Sequence, residues 1–134
     1  MLHRLNVKTR SRIEFQNITR AVQEVVDSSH IESGVCYLFV PHTTAAVILN
    51  KQADPSVVED IAGQLEAIAP QHGDYRHSEG NSPAHIKSSL LGSSAMVLVD
   101  DGKLVLGTWQ GIFFCEFDGP RSRSLLVKIV PDNR

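Results

Sequence analysis

An α+β fold, a mostly antiparallel β-sandwich or part-barrel carrying two main helices, is predicted by three features of this 134-residue sequence. Apolar runs too short for helices recur along the chain and dominate its last third. Two of those runs are joined by Asp101-Gly102, a two-residue hairpin turn. Apolar residues at helical spacing occupy only two longer segments. With 42% hydrophobic residues, the whole span 1–134 reads as one domain able to bury its own core.

In chain order, Leu2 to Lys8 and Arg12 to Asn17 mix apolar with polar residues as half-exposed strands do. Ile18, Ala21, Val22, Val25 and Val26 then recur at helical spacing, with Thr19 as the expected N-cap and Ser33-Gly34 as the exit. Val35 to Val40 and Ala45 to Leu49 are almost continuous apolar runs, predicted to be strands covered on both faces at the sheet centre. Asp54-Pro55 opens the best helix, because Asp accepts orphan amides, Pro fits the first helical position, and Val57, Val58, Ile61, Leu65 and Ile68 share a face. Ser56 with Glu59 offers a competing capping box, and Pro70 ends the helix. Gln71 to Pro83 has no periodicity and is about the length at which a loop in a compact domain is functional or disordered; its two histidines argue for function. A short helical piece over Ala84 to Leu91, capped by Asn81 or Ser82, follows. AMVLV, KLVLG, GIFFCEF and SLLVKIV complete the strands, the last two separated by the turn Asp118-Gly119-Pro120-Arg121.

Thirteen Lys and Arg against 15 Asp and Glu, with no long basic cluster, exclude a phosphate-tracking stripe and make nucleic acid an unlikely primary partner. No stretch of about 18 apolar residues is present, and the start lacks a charged region followed by an apolar one. A cytoplasmic chain without a membrane partner is expected. Cys36 and Cys115 each sit inside an apolar run, as small buried thiols do.

Of six histidines, His3 and His30 read as solvated or packing residues and His72 as exposed. His42, His77 and His85 differ, because each lies in a polar interruption beside hydroxyl or amide side chains. Three converging imidazoles would suit a zinc-like ion with an open fourth position, or would hold an oxyanion and shuttle protons. Arg121 and Arg123 flank Ser122 so that both guanidiniums could reach one anion; two surface arginines on a strand are the plainer reading. Trp109, bracketed by Gly107 and Gly111, reads as a core or subunit-interface anchor, and Gln110 as the better polar contact.

Taken together, PHTTAAVILN, YRHSEGNSPAHI, LLGSS, LGTWQGIFFCEFDGPRSR and the final VKIV resemble the YjbQ-like family, whose members are also described as secondary thiamine-phosphate synthases. The resemblance covers nearly the whole chain. It implies an α+β fold, a homotrimer, and a polar site near subunit boundaries formed by His42, Thr44, Asn50, His77, Asn81, His85, Gln110, Glu116, Asp118 and Arg121. It further implies a reaction joining hydroxymethylpyrimidine diphosphate to thiazole phosphate with release of pyrophosphate. His42, His77, His85 and Asn81 would be its catalytic groups; Thr44, Asn50, Gln110, Glu116, Asp118, Arg121 and Arg123 would bind a small phosphorylated substrate. A divalent metal, zinc or magnesium, on His42, His77 and His85 fits the same residues. A metal- or phosphate-binding trimer without turnover, or a metal-assisted hydrolase, is the alternative. Lys51 departs from the family pattern, which has an acid there: if that acid helps bind a cation, lysine weakens the metal reading, and if the position faces an anionic substrate, lysine helps instead. Ser82 replaces the family's usual alanine.

Overall fold

The computed structural model describes residues 1–133. Its elements in order are β1 (Leu2–Lys8), β2 (Glu14–Asn17), α1 (Thr19–Ser29), β3 (Gly34–Phe39), β4 (Ala45–Lys51), α2 (Pro55–Ile68), α3 (Ser82–Leu91), β5 (Ser94–Asp100), β6 (Lys103–Leu104), β7 (Gln110–Glu116) and β8 (Ser122–Pro131). A five-stranded sheet runs β1-β8-β3-β5-β6 and a three-stranded one β2-β7-β4, with every pairing antiparallel. The expected α+β architecture is the one found.

The layers explain the sequence pattern. Cys36, Leu38, Val97, Val99, Leu125 and Val127 on the inner face of the large sheet meet Ala45, Val47, Ile112 and Phe114 of the small one, with Val22, Val25 and Val26 of α1 filling the same core. On its other face the small sheet presents Ala46, Phe113 and Cys115 to Leu65 of α2 and Ala84 of α3. The small sheet is therefore buried on both faces, and β7 reads as an unbroken apolar run because neither of its faces meets water. Full burial of one such Val, Leu or Phe is worth about 1.5–3 kcal/mol.

Two expectations about β3 and β4 need correction. The two strands lie in different sheets, and β4 is an edge strand of its sheet. β3 is central in the large sheet, but its outer residues Tyr37 and Phe39 are 46% and 47% exposed, so it is covered on one face only. Its aromatic side chains hide the alternation that a half-exposed strand normally shows.

Local chemistry sets the helix starts. Thr19 is the first helical residue, and Asn17 accepts from its amide at 3.0 Å and its hydroxyl at 2.6 Å, so Asn17 does the work expected of Thr19. For α2, Asp54 accepts from the Ser56 amide at 3.0 Å as predicted, and the Ser56/Glu59 alternative is not used. The third helix is longer than the short piece expected, and Asn81 stands at its N-cap position without capping it. β2 begins at Glu14, because Glu14 Oε1 accepts from the amides of Arg10 and Ser11 (2.7 and 3.1 Å) and folds the preceding residues into a bend. Asp101 (φ 53°) and Gly102 (φ 72°) form the anticipated hairpin turn, although β6 beyond it is only two residues long.

Candidate functional site

A cleft of about 690 Å³ opens where three connections meet: the β3–β4 loop, the loop and first turns leading into α3, and the β7–β8 turn. His42 and Thr44 come from the first, His77, Asn81 and His85 from the second, and Asp118, Arg121 and Arg123 from the third and the start of β8. The three histidines singled out by sequence thus line one cavity, although His77 and His85 flank a polar segment some 40 residues from His42. The rings of His77 and His85 stand perpendicular, centroids 5.6 Å apart.

The floor is a buried ion pair. Arg123 Nε donates to Glu116 Oε1 at 2.8 Å, its Nη2 donates to Glu116 Oε2 and to Thr44 Oγ1 (2.7 Å), and Thr9 Oγ1 donates to Glu116 Oε1 at 2.8 Å. Glu116 is wholly inaccessible and Arg123 is 6% exposed. Burial alone would raise the Glu116 carboxyl, but Arg123, the Asp118 amide and Thr9 outweigh it and hold the group below its ordinary value. The expectation that Arg121 and Arg123 share one anion is corrected here. Arg123 is committed to Glu116 and Thr44, while Arg121 donates from Nε to the Asp118 carbonyl (2.7 Å) and from Nη2 to Asp118 Oδ2 (3.0 Å). Arg121 is exposed, and its Nη1 has no acceptor among the described residues, so one edge of its fork faces no protein partner.

His42 carries the most specific information. Its Nε2 accepts a hydrogen bond from the Ser124 amide at 3.0 Å, so that nitrogen holds a lone pair and the proton of the neutral ring resides on Nδ1. Burial, and then the Arg123 charge, lower the His42 value below that of an ordinary imidazole. The ring is a fixed neutral donor, and it cannot offer Nδ1 to a metal without breaking its bond to Ser124. Among the described residues no group of three His, Cys, Asp or Glu side chains is placed to hold one ion. As they stand, His42, His77 and His85 do not fit a shared zinc or magnesium ion.

The segment carrying His77 is pinned from below by residues that sequence reasoning missed. Lys87, 1% exposed, donates to Glu66 Oε1 of α2 at 2.6 Å, and Glu66 Oε2 accepts from the Gln71 amide at 2.8 Å. Gln71 then donates from Nε2 to the Gly80 carbonyl at 3.1 Å. The Lys87 bond, foremost, holds the Glu66 carboxyl below its usual range. One signal was available: Lys87 falls in helical register with Ala84 and Leu91, where an apolar residue would be expected. Asn81 closes the other side, donating from Nδ2 to Asp118 Oδ2 at 3.0 Å, while its Oδ1 is buried and accepts nothing from the protein.

Asn50 and Gln110 lie elsewhere. In the β4–β7 register Ala45 faces Glu116 beside the cleft, whereas Asn50 faces Gly111 and Lys51 faces Gln110 at the opposite end. Six strand residues separate the ends by about 20 Å. Gln110 Oε1 there accepts from the Gly107 amide at 2.8 Å, and Lys51 Nζ sits 5.3 Å from the Trp109 ring centroid. Within one subunit neither Asn50, Lys51 nor Gln110 reaches the histidines.

The comparisons with known proteins agree with this architecture. A family model described as UPF0047 protein YjbQ-like matches residues 3–132. A UPF0047 protein of Methanocaldococcus jannaschii is 48% identical over 98% of this chain and 96% of its own length, and YugU of Bacillus subtilis is 46% identical over 97% and 99%. A crystal structure of an uncharacterized YjbQ/UPF0047 protein from Clostridium acetobutylicum superposes with a TM-score of 0.94 at 49% identity, covering 96% of this chain and 99% of that one. A further structure, a protein of unknown function from Sulfolobus solfataricus, gives 0.94 at 33% identity and covers 98% and 97%. The sequence motifs, the two-sheet fold and these matches place the chain in the YjbQ-like UPF0047 family.

Proposed function

We propose that the histidine-lined cleft binds a small phosphorylated molecule and acts on it as a thiamine-phosphate synthase, joining hydroxymethylpyrimidine diphosphate to thiazole phosphate. The observation that carries the anion reading is the donor set of the cleft: His42, a lining residue, holds its proton on Nδ1, and Arg121 has a free guanidinium edge. In the reaction, the thiazole nitrogen forms a bond to the methylene carbon of the pyrimidine while the methylene–oxygen bond breaks, its electron pair leaving with pyrophosphate. Arg121 and His42 would stabilise the charge that gathers on the departing oxygens. His77 and His85 line the same space and would handle protons at the reacting centre, with Asn81 beside them held by its bond to Asp118.

The same reading includes a homotrimer in a cytoplasmic setting. Tyr37, Phe39, Met96, Leu98 and Val130 are all exposed on the outer face of the large sheet, which gives a trimer an apolar surface to bury. Phe39 also lines the cleft. If Asn50 and Gln110 serve a site, it is the cleft of a neighbouring subunit. Cys36 and Cys115 are unpaired and buried, the Cys36 thiol pushed up to about 11 by burial, so both suit a reducing compartment. No helix among the described residues is long and apolar enough to cross a membrane.

The test is purified protein incubated with the two phosphorylated heterocycles, scored for pyrophosphate release and product. Turnover that is lost in His85→Ala and in Arg121→Ala supports the proposal. Binding without turnover would assign a phosphate-binding module, and phosphate release without coupling a hydrolase; either outcome rejects the synthase. Overexpression should also rescue a strain lacking thiamine-phosphate synthase.

A further inference from the structure

Beside the main cleft, on the other side of His77 and His85, lies a second lobe of about 470 Å³ that shares those two rings and is otherwise built from Asp74, Tyr75, Arg76, Ser82 and Ile86. Its walls differ in kind from those of the cleft. The cleft gathers Arg121, Arg123 and His42, whereas the lobe adds Tyr75 and Ile86 to a mixed polar lining of Asp74, Arg76 and Ser82.

Tyr75 is a fixed wall and not a loose loop residue. Its hydroxyl donates to the Pro70 carbonyl at 2.5 Å, and its ring lies against Gly73 so closely that a Cβ there would come within 2.7 Å of it. Glycine at 73 is what lets the backbone approach the ring. A lobe lined by a fixed aromatic residue and an aliphatic one, with a hydroxyl, a carboxylate and a guanidinium among its side chains, suits a flat ring bearing hydrogen-bonding groups.

We infer that this lobe is the heterocycle subsite: a planar, nitrogen-bearing ring packs against Tyr75 and Ile86, and its phosphate-bearing substituent passes His77 and His85 into the Arg121 cleft. This inference rests on the anion-binding reading of the cleft for the second half of the statement only. His77 and His85 then flank the bond between ring substituent and phosphate, the place where the chemistry of a phosphorylated heterocycle occurs.

Calorimetry with three probes tests the lobe and the cleft separately: free hydroxymethylpyrimidine, its diphosphate, and inorganic pyrophosphate. Tyr75→Ala should weaken the free pyrimidine and the diphosphate by about tenfold and leave pyrophosphate unchanged. Ile86 is 38% exposed on α3, so Ile86→Glu should keep the fold while weakening the same two probes; it is the control should Tyr75→Ala disturb the loop. Pyrimidine binding that depends on Tyr75 while pyrophosphate fails to bind would uphold the lobe and sink the anion cleft. No binding of the free pyrimidine, or equal affinity in wild type and both variants, would overturn the lobe whatever pyrophosphate does.

Discussion

The two ends of the β4–β7 strand pair share a sheet and a register, yet they solve opposite problems. At the Thr44 and Glu116 end, a charged pair is sealed beneath a cleft whose side chains are held in single roles: Arg123 by Glu116, Asn81 by Asp118, His42 by the Ser124 amide. At the Asn50 and Gln110 end, Lys51 lies over a Trp109 that is 62% exposed, and side chains meet solvent. The first end is a preorganised cleft, as the proposed ligand site requires. The second end is polar, aromatic and open to solvent.

The sharpest way to break this contrast is to remove the buried carboxylate. Glu116→Ala strands the Arg123 charge in the core and should cost about 3–5 kcal/mol in urea unfolding. Trp109→Ala, at the other end, should change the stability of the isolated subunit by less than about 0.5 kcal/mol. Equal losses at the two ends would erase the distinction. Lys87→Met comes next: its Glu66 partner is 40% exposed and regains water, so a loss of about 2 kcal/mol is expected, with faster amide exchange at Gln71.

Much of this was legible beforehand, and the failures have causes. The hairpin turn, the Asp54 cap and the His42, His77, His85 grouping follow from turn chemistry, capping and polar interruptions in apolar runs. The division of β3 and β4 between two sheets was not legible, because both are continuous apolar runs and hydrophobic pattern does not say which strands pair. Arg121 and Arg123 look equivalent in sequence, since a two-residue spacing puts both on one strand face. What separates them is Glu116, seven residues before Arg123 and brought under it by the β7–β8 turn. Lys87 was missed as a support because a lysine in a polar helix is ordinarily solvated.

Acid should act on the cleft end in two steps. His42 has a value below the ordinary 6.5, so the unfolded chain takes up that proton first and stability falls as pH drops from about 6.5 toward the lower folded value. Glu116 also lies below its ordinary value of 4.5; its contribution is full above 4.5 and is lost as pH falls through the folded value. In unfolding curves recorded across this range, His42→Gln should lack the upper step and retain the lower one. Persistence of the upper step in that variant would show that another group is responsible.

Like Trp109→Ala, Arg121→Ala should change stability by no more than about 0.5 kcal/mol, because its pair with Asp118 is half-exposed. Its effect on binding should be the largest of all, and that makes it the direct test of the cleft as an anion site. Calorimetric titration with inorganic pyrophosphate in the presence of a chelator should give saturable binding to the wild-type protein and none to Arg121→Ala. Binding that is unchanged in Arg121→Ala, or that appears only when a divalent metal is added, would contradict the account.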